Sequence, residues 1–333
     1  MASDAEMVDA LRKLGLASAD EAVQVIPLTG GVSSDVVAVQ TPRGAYVVKR
    51  SIPKLRVKAD WRAPVTRAGS EVAWLRFVGG LDAHLVPAVL AEIPEDHLFV
   101  MPFLDPATHP VWKGELAAGR VVPAFAGQVG RDLARIHGAA AGRADLAETF
   151  GDITGFMALR IDPFLLYTAD RHPDVAARLR ALAEGLDTRK TTLVQGDISP
   201  KNILMGPHGP VFLDAECAVW GDGAFDLAFC LTHLLLKSIW LPDHWAALLE
   251  SFELLSGAYL AAVVWEDADA VSVRAAALVG ALLLARVDGK SPAGYLDEPA
   301  EHLVRARAKV ILGHEDWDLA HLVRYWRAER VVL

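Results

Sequence analysis

Leu193-Val194-Gln195-Gly196-Asp197-Ile198-Ser199-Pro200-Lys201-Asn202-Ile203-Leu204-Met205 places an aspartate and an asparagine five residues apart on a loop closed by Pro200. Apolar, strand-forming residues flank the loop on both sides. Gly206-Pro207-His208-Gly209 reads as a hairpin turn, and the chain returns through Val211-Phe212-Leu213-Asp214-Ala215-Glu216. Such a hairpin brings Asp197, Asn202 and Asp214 to one end, with Glu216 two residues further on. Converging oxygen ligands suit Mg²⁺, which takes few protein ligands and fills its shell with water and phosphate. Singly, Asp197 also reads as an Asx turn and Asp214 as a strand-end cap. The order of the three around one turn favours a site.

Working outward, the chain changes character near residue 104. Before it, Ser3 and Glu6 form a capping box for a helix carrying Met7, Val8, Leu11 and Leu14. Ser18, Asp20 and Glu21 suggest a second short helix. Val23 to Pro27, Val36 to Val39 and Ala45 to Lys49 read as strands separated by Thr29-Gly30-Gly31 and Thr41-Pro42-Arg43-Gly44, an antiparallel meander. Arg67 to Val78 has helical spacing, and Leu98 to Met101 is a buried strand stopped by Pro102 and Pro106. Beyond residue 104 the period is helical: Val121 to Ala139, Val175 to Glu184, Phe225 to Ser238, Trp245 to Tyr259, Val271 to Val287 and Ala300 to Leu312. One strand-rich island, Leu193 to Val219, interrupts these helices.

Gly196-Asp197-x4-Asn202, then Asp214, then Gly223-Ala224-Phe225-Asp226-Leu227-Ala228 resembles the signature of aminoglycoside-phosphotransferase-type small-molecule kinases. Leu133-Ala134-Arg135-Ile136-His137 resembles the helix that precedes it, and the Asp214-x-Glu216 pair is similar to the methylthioribose-kinase branch. The resemblance implies an α+β, bilobal protein-kinase-like fold. An N-lobe of antiparallel sheet plus helix (1–104) would cover the nucleotide. A mainly α-helical C-lobe (105–333) would carry the catalytic loop, metal and acceptor. It also implies ATP and Mg²⁺ as cofactors, Asp197 as catalytic base, Asn202, Asp214 and Glu216 at the metal, and Asp226 as a structural buttress. Two positions depart from the family pattern, Gln195 and Ser199, where histidine is usual.

Phosphoryl transfer requires a lysine on the phosphates and a loop covering them. Gly30, Gly31, Ser33 and Ser34 lie between two strands, and Lys49 ends a Val-rich strand as the kinase lysine does. Glu71, on the next helix, is its expected partner, with Glu92 and Glu95 also nearby in sequence. Met101, Pro102 and Leu104 occupy the adenine-binding hinge position; Pro102 lacks an N–H but keeps its carbonyl. On the acceptor side, Arg286, Asp288 and Asp222 are the candidate binding residues. Arg160, Asp162, Lys290 and Trp240 are other polar or aromatic groups near them.

The chain has 333 residues, 53% of them apolar, with 42 acidic against 33 basic residues for a net charge of −9. Disorder is excluded as a global description, and the charge argues against nucleic acid or an anionic membrane as partner. The expected partner is a small-molecule hydroxyl acceptor, and the expected state a monomer or homodimer. Cys217 and Cys230 are the whole cysteine complement, and the first residues lack a signal peptide's apolar stretch, so the cytoplasm is the expected location. The apolar run Ala275 to Ala285 is too short to span a bilayer. Gly289-Lys290-Ser291 lacks the earlier glycine of a P-loop, since position 284 is leucine, and Gly221-Asp222-Gly223 lacks the third glycine of a dinucleotide fingerprint. The expected activity is ATP- and Mg²⁺-dependent phosphorylation of a hydroxyl on a sugar or sugar-like metabolite. The alternatives are antibiotic phosphorylation and a nucleotide-binding pseudokinase.

Overall fold

The structure, a computed structural model, describes residues 4–18, 20–28, 33–56 and 61–329. Helix α1 (Asp4–Lys13) precedes β1 (Gln24–Pro27), β2 (Ser34–Thr41) and β3 (Gly44–Ser51). Then follow α2 (Arg67–Leu81), β4 (Ala91–Ile93) and β5 (Leu98–Pro102). The strands form one antiparallel sheet in the order β1-β2-β3-β5-β4. Period-two alternation gives this sheet two apolar faces. Val37, Val39, Val48 and Val100 pack with Met7 and Leu11 of α1, whereas Phe99 belongs to the larger core on the other side. Lys49, next to Val48, is thereby turned away from α1.

The expected helix at residues 18–21 does not form. The Ser18 N–H donates to the Glu21 carboxylate at 2.7 Å, and this local bond closes a turn instead. The capping box at Ser3 lies outside the described residues. Strand β4, not anticipated, is three residues long and carries Glu92, too short for a periodic signal.

After the sheet come α3 (Trp112–Ala117) and α4 (Pro123–Ala140), the latter opened by Pro123 at its first turn. The expected start at Val121 is therefore two residues early. Helices α5 (Ala144–Thr149) and α6 (Thr154–Phe156) lead into a wide-turn π segment, Met157–Leu166, which holds Pro163 and continues as α7 (Tyr167–Arg171). Helix α8 (Ala176–Thr188) precedes the strand island. There β6 (Thr192–Val194) is to pair with a later strand, and β7 (Ile203–Gly206) forms a hairpin with β8 (Gly209–Phe212). The partner of β6 is β9 (Val219–Gly221). Helices α9 (Ala224–Trp240), α10 (Trp245–Leu260), α11 (Ala268–Asp288), α12 (Glu298–Leu312) and α13 (Leu319–Ala328) complete the chain.

Helix α11 is long and apolar enough to cross a membrane by composition, yet 78% of its most apolar stretch is buried against neighbouring helices. It is a core helix. The principal core runs across residue 104: Trp74 and Phe99 join the same cluster as Trp112, Phe125 and Phe212. The sheet and the helices thus meet on a continuous apolar surface, and the polar site sits along that seam.

Candidate active site

Three charged side chains from distant parts of the chain meet first. The Lys49 ammonium is 2.7 Å from Glu71 Oε2 and 2.5 Å from Asp214 Oδ1. Lys49 and Glu71 are 5% and 1% exposed, so water does little to weaken the contact. Burial alone would lower the lysine pKa. Asp214, Glu71 and Glu216 outweigh it and hold the ammonium protonated well above its ordinary range. Burial likewise opposes ionisation of Asp214, but Lys49 and Lys201 draw its pKa down to about 2. Asp214 also adopts φ +65°, a left-handed backbone unusual for a non-glycine residue. Strain of this kind persists only where the surroundings enforce it, and it clusters at functional positions.

Asp197 follows β6 and is 3% exposed. Its Oδ2 is held at 2.9 Å by both Arg160 Nη2 and Lys201 Nζ. Oδ1 has no partner among the described residues and is free to accept from a hydroxyl. Asn202 Nδ2 donates to the Asp197 carbonyl at 3.1 Å, which leaves the amide oxygen as the outward acceptor. Arg160 also donates to the Gly196 carbonyl. It comes from the π segment, whose extra residue per turn changes the facing of its side chains. Sequence reading placed Arg160 near the acceptor but missed its grip on Asp197, because a π segment has no simple apolar period.

Gln195, one of the two departures from the family pattern, has a definite task. Its Oε1 accepts from the Asp197 N–H at 2.6 Å, while Nε2 donates to the carbonyls of Leu213 and Asp214 at 2.8 and 3.1 Å. One amide therefore ties the Asp197 loop to the Asp214 strand. An imidazole, with two ring nitrogens, cannot make all three bonds. Beneath it, Asp226 accepts from the N–H groups of Gln195 and Gly196 at 2.6 and 2.7 Å. Asp226 also contacts His137, which in turn contacts the Tyr259 hydroxyl at 2.7 Å. Asp226 is fully buried and braces the loop, as expected. Gly196 is required here: its φ is +84°, and a Cβ would lie 2.6 Å from the Cys217 Cβ.

Other expected residues fall elsewhere. Glu216, expected at the metal, is bound by Arg67 Nε at 2.9 Å, with Arg67 also donating to the carbonyls of Ser33, Ile52, Pro64 and Ala63. Glu216 is thus the anchor that fastens the head of α2 to the helical region, because Arg67 needs a buried counter-charge. Asp222, expected at the acceptor, has both oxygens on Arg274, at 2.8 and 3.0 Å. Asp288 is likewise held by Arg305 at 2.7 and 2.9 Å and by His172 at 2.9 Å. Both carboxylates, expected at the acceptor, are engaged by arginines of the protein itself. Arg286 donates through Nη1 to the Ser291 carbonyl and hydroxyl, closing the loop after α11, while its buried Nε has no partner among the described residues.

Gly30 and Gly31 lie outside the described residues. Ser33 and Ser34 are 7% and 2% exposed, and the Ser34 hydroxyl has no hydrogen-bond partner among the described residues. Met101 and Pro102 end β5 beside β3, where Tyr46 faces Pro102, and the next N–H, of Phe103, donates to Ala45 at 3.0 Å. Leu104 follows and stands beside Ala83, Val86 and His109 at the rim of a small cavity.

Among the described residues, no three His, Cys, Asp or Glu side chains group to hold a metal unaided. Asn202 and Asp214 instead offer one amide and one carboxylate oxygen. That set is too sparse to cage a cation, but it fits Mg²⁺ bound together with nucleotide phosphates.

This architecture is shared. An amicoumacin kinase, solved in complex with AMP-PNP and Ca²⁺, superposes with a TM-score of 0.57 at 14% identity, covering 87% of this chain and 88% of that one. An ethanolamine kinase from Plasmodium vivax gives a TM-score of 0.54 at 12% identity, over 96% and 85% of the two chains. At such identities these likenesses establish the protein-kinase-like fold and nothing finer. In sequence, a methylthioribose kinase from an Enterobacter species is 26% identical over 226 residues, 60% of this chain. The match spans only 56% of that relative's length. The APH family model, described as the phosphotransferase enzyme family, matches residues 24–262, well over half of the chain. The chain belongs to that phosphotransferase family.

Proposed function

We propose that the protein is a small-molecule kinase that uses ATP and Mg²⁺ to phosphorylate a hydroxyl of a sugar-like metabolite. The observation that carries this reading is the convergence of Lys49, Glu71 and Asp214 beside an Asp197 whose one carboxylate oxygen is free. Glu71 positions Lys49, and the lysine charge is directed at nucleotide phosphate. Asn202 and Asp214 would hold Mg²⁺, which supplies charge neutralisation for the transferring phosphoryl group. Asp197 receives the acceptor's proton at Oδ1, while Arg160 and Lys201 fix the carboxylate through Oδ2. General-base assistance of this type contributes about 10²–10⁴ in rate. The methylthioribose kinase relative supports a sugar-like acceptor, as does the half-buried aromatic pair Trp240–Tyr295, with ring centroids 4.7 Å apart. ADP release measured across a panel of sugars, amino alcohols and aminoglycosides tests the proposal. Release stimulated by none of them, with no AMP-PNP binding, would remove the kinase reading.

A further inference from the structure

On α9, Phe229, His233, Lys237 and Trp240 recur at helical spacing and line one face. Phe229 lies under Arg160, 5.5 Å from guanidinium to ring centroid, so this face begins at the group that holds Asp197. Further along, the His233 ring packs edge-on against Phe229, with centroids 5.3 Å apart. The Lys237 ammonium then sits 5.2 Å over the Tyr295 ring.

Lys237 is 1% exposed, and its ammonium has no hydrogen bond or ion pair among the described residues. The groups acting on it are the cations Lys113 and Arg286, and in the opposite sense the buried Cys230 thiol. Those acting on His233 are Arg286, Lys237, Lys201 and Lys113, all cations. The carboxylate that acts on Arg286 is Asp197 itself. Two more polar groups at this spot are buried without a hydrogen-bond partner among the described residues: Arg286 Nε and the Tyr295 hydroxyl. A buried ammonium surrounded by like charges is costly, and stable proteins pair or neutralise such groups. Burial beside Lys113 and Arg286 accordingly pushes the Lys237 pKa down to about 7. The bond donors left over, two cationic and one phenolic, describe the complement of an oxyanion.

We propose that this cluster is an anion subsite for the acceptor, so that the substrate is a small hydroxylated molecule carrying a carboxylate or phosphate group bound by Lys237, Arg286 and Tyr295. The inference rests on the kinase reading for its hydroxyl and adds the charged group. Arg286 links the two ends electrostatically, since its charge interacts with both Asp197 and Lys237. An anionic group seated there leaves the rest of a short acceptor directed at the free Asp197 oxygen. The same cations repel choline-like and aminoglycoside-like acceptors.

The test uses the intact chain with ATP, Mg²⁺ and matched acceptors: glycerol against glycerate, and glucose against gluconate and glucose 6-phosphate. In parallel, heat-induced unfolding is followed with saturating AMP-PNP at fixed ionic strength, with chloride replaced by inorganic sulfate. The expected result is at least a tenfold higher kcat/KM for an anionic member than for its neutral counterpart. Sulfate should raise the wild-type Tm and raise that of Lys237→Met less, with AMP-PNP binding equal in the two. Preference for neutral or cationic acceptors, or the same sulfate shift in Lys237→Met and wild type, overturns the subsite while AMP-PNP binding keeps the kinase reading standing. Failure of the wild type to bind AMP-PNP is the separate failure of that underlying reading.

Discussion

Two charged regions flank Asp197, and they are built in opposite ways. On the sheet side, Lys49 is enclosed by Glu71 and Asp214, so each buried charge has its counter-charge within 2.8 Å. On the α9 side, Lys237, His233 and Arg286 act on one another, and none has a carboxylate bonded to it among the described residues. The first region is complete before any ligand arrives, and it spends protein contacts on holding a lysine in place. The second is complete only with a ligand. Charge pairing in a fold therefore separates groups that position from groups that await, and this distinction is more informative than burial, which both regions share.

The largest effect is expected at the boundary between them. Asp197→Asn should lower kcat by about 10²–10⁴ with the fold and AMP-PNP binding retained, read by steady-state kinetics and calorimetry. Turnover within a few-fold of wild type would take the proton-accepting role away from Asp197.

The paired region should respond in stability. Glu71→Gln leaves the buried Lys49 with Asp214 as its remaining carboxylate partner, and breaking a buried pair costs about 3–5 kcal/mol. Chemical denaturation should show the drop in midpoint. An unchanged midpoint would mean that the pair is not a unit.

Gln195 joins the Asp197 loop to the Asp214 segment, so Gln195→Ala removes three hydrogen bonds and takes the partner from one buried N–H and two half-buried carbonyls. We expect a loss of about 2–3 kcal/mol together with a reduced kcat. Gln195→His should restore only part of both. Full recovery by histidine would show that the amide's threefold connection is dispensable.

The unpaired region should behave in the reverse sense. Lys237→Met replaces an uncompensated buried cation by an apolar chain of similar length, and without an anion it should stabilise the protein by about 1 kcal/mol or more near neutral pH. The pH dependence has a definite sign. The folded-state pKa is about 7, against an ordinary value of 10.5. The unfolded chain therefore holds the proton more tightly, and wild-type stability climbs from pH 7 toward 10.5. The stabilisation of Lys237→Met over wild type is thus greatest at and below pH 7 and shrinks at higher pH. His233, Lys113 and Arg286 face the same group and stay in both proteins. Thermal unfolding at pH 6.5 and 9.5 checks this, and a gap that widens at high pH would contradict an unpaired Lys237.

Much of the site was legible because it is local. Asp197, Asn202 and Asp214 are joined by one short hairpin, and Lys49 stands out at the end of a valine-rich strand. Glu71 could be named because α2 follows that strand directly. Spacing was silent where a charge finds its partner across the fold. Glu216 looks like a metal ligand beside Asp214, yet Arg67 claims it from 149 residues away. Asp222 looks free beside two glycines until Arg274, 52 residues on, covers both oxygens. Arg160 was hidden by the irregular turn that carries it.

The sequence by itself determined the antiparallel meander, the apolar helices and the catalytic hairpin, since strand alternation, helical spacing and turn residues act over a few positions. Only the tertiary structure decided which charges are neutralised and which are left over. A carboxylate's role depends on the cation brought within about 3 Å of it, and burial makes that pairing strong by excluding water. No spacing rule along the chain carries that information. Asp222 and Asp288 are paired with arginines from distant parts of the chain, while Lys237, on a helix whose period was plain, has an aromatic ring beside it and no carboxylate among the described residues.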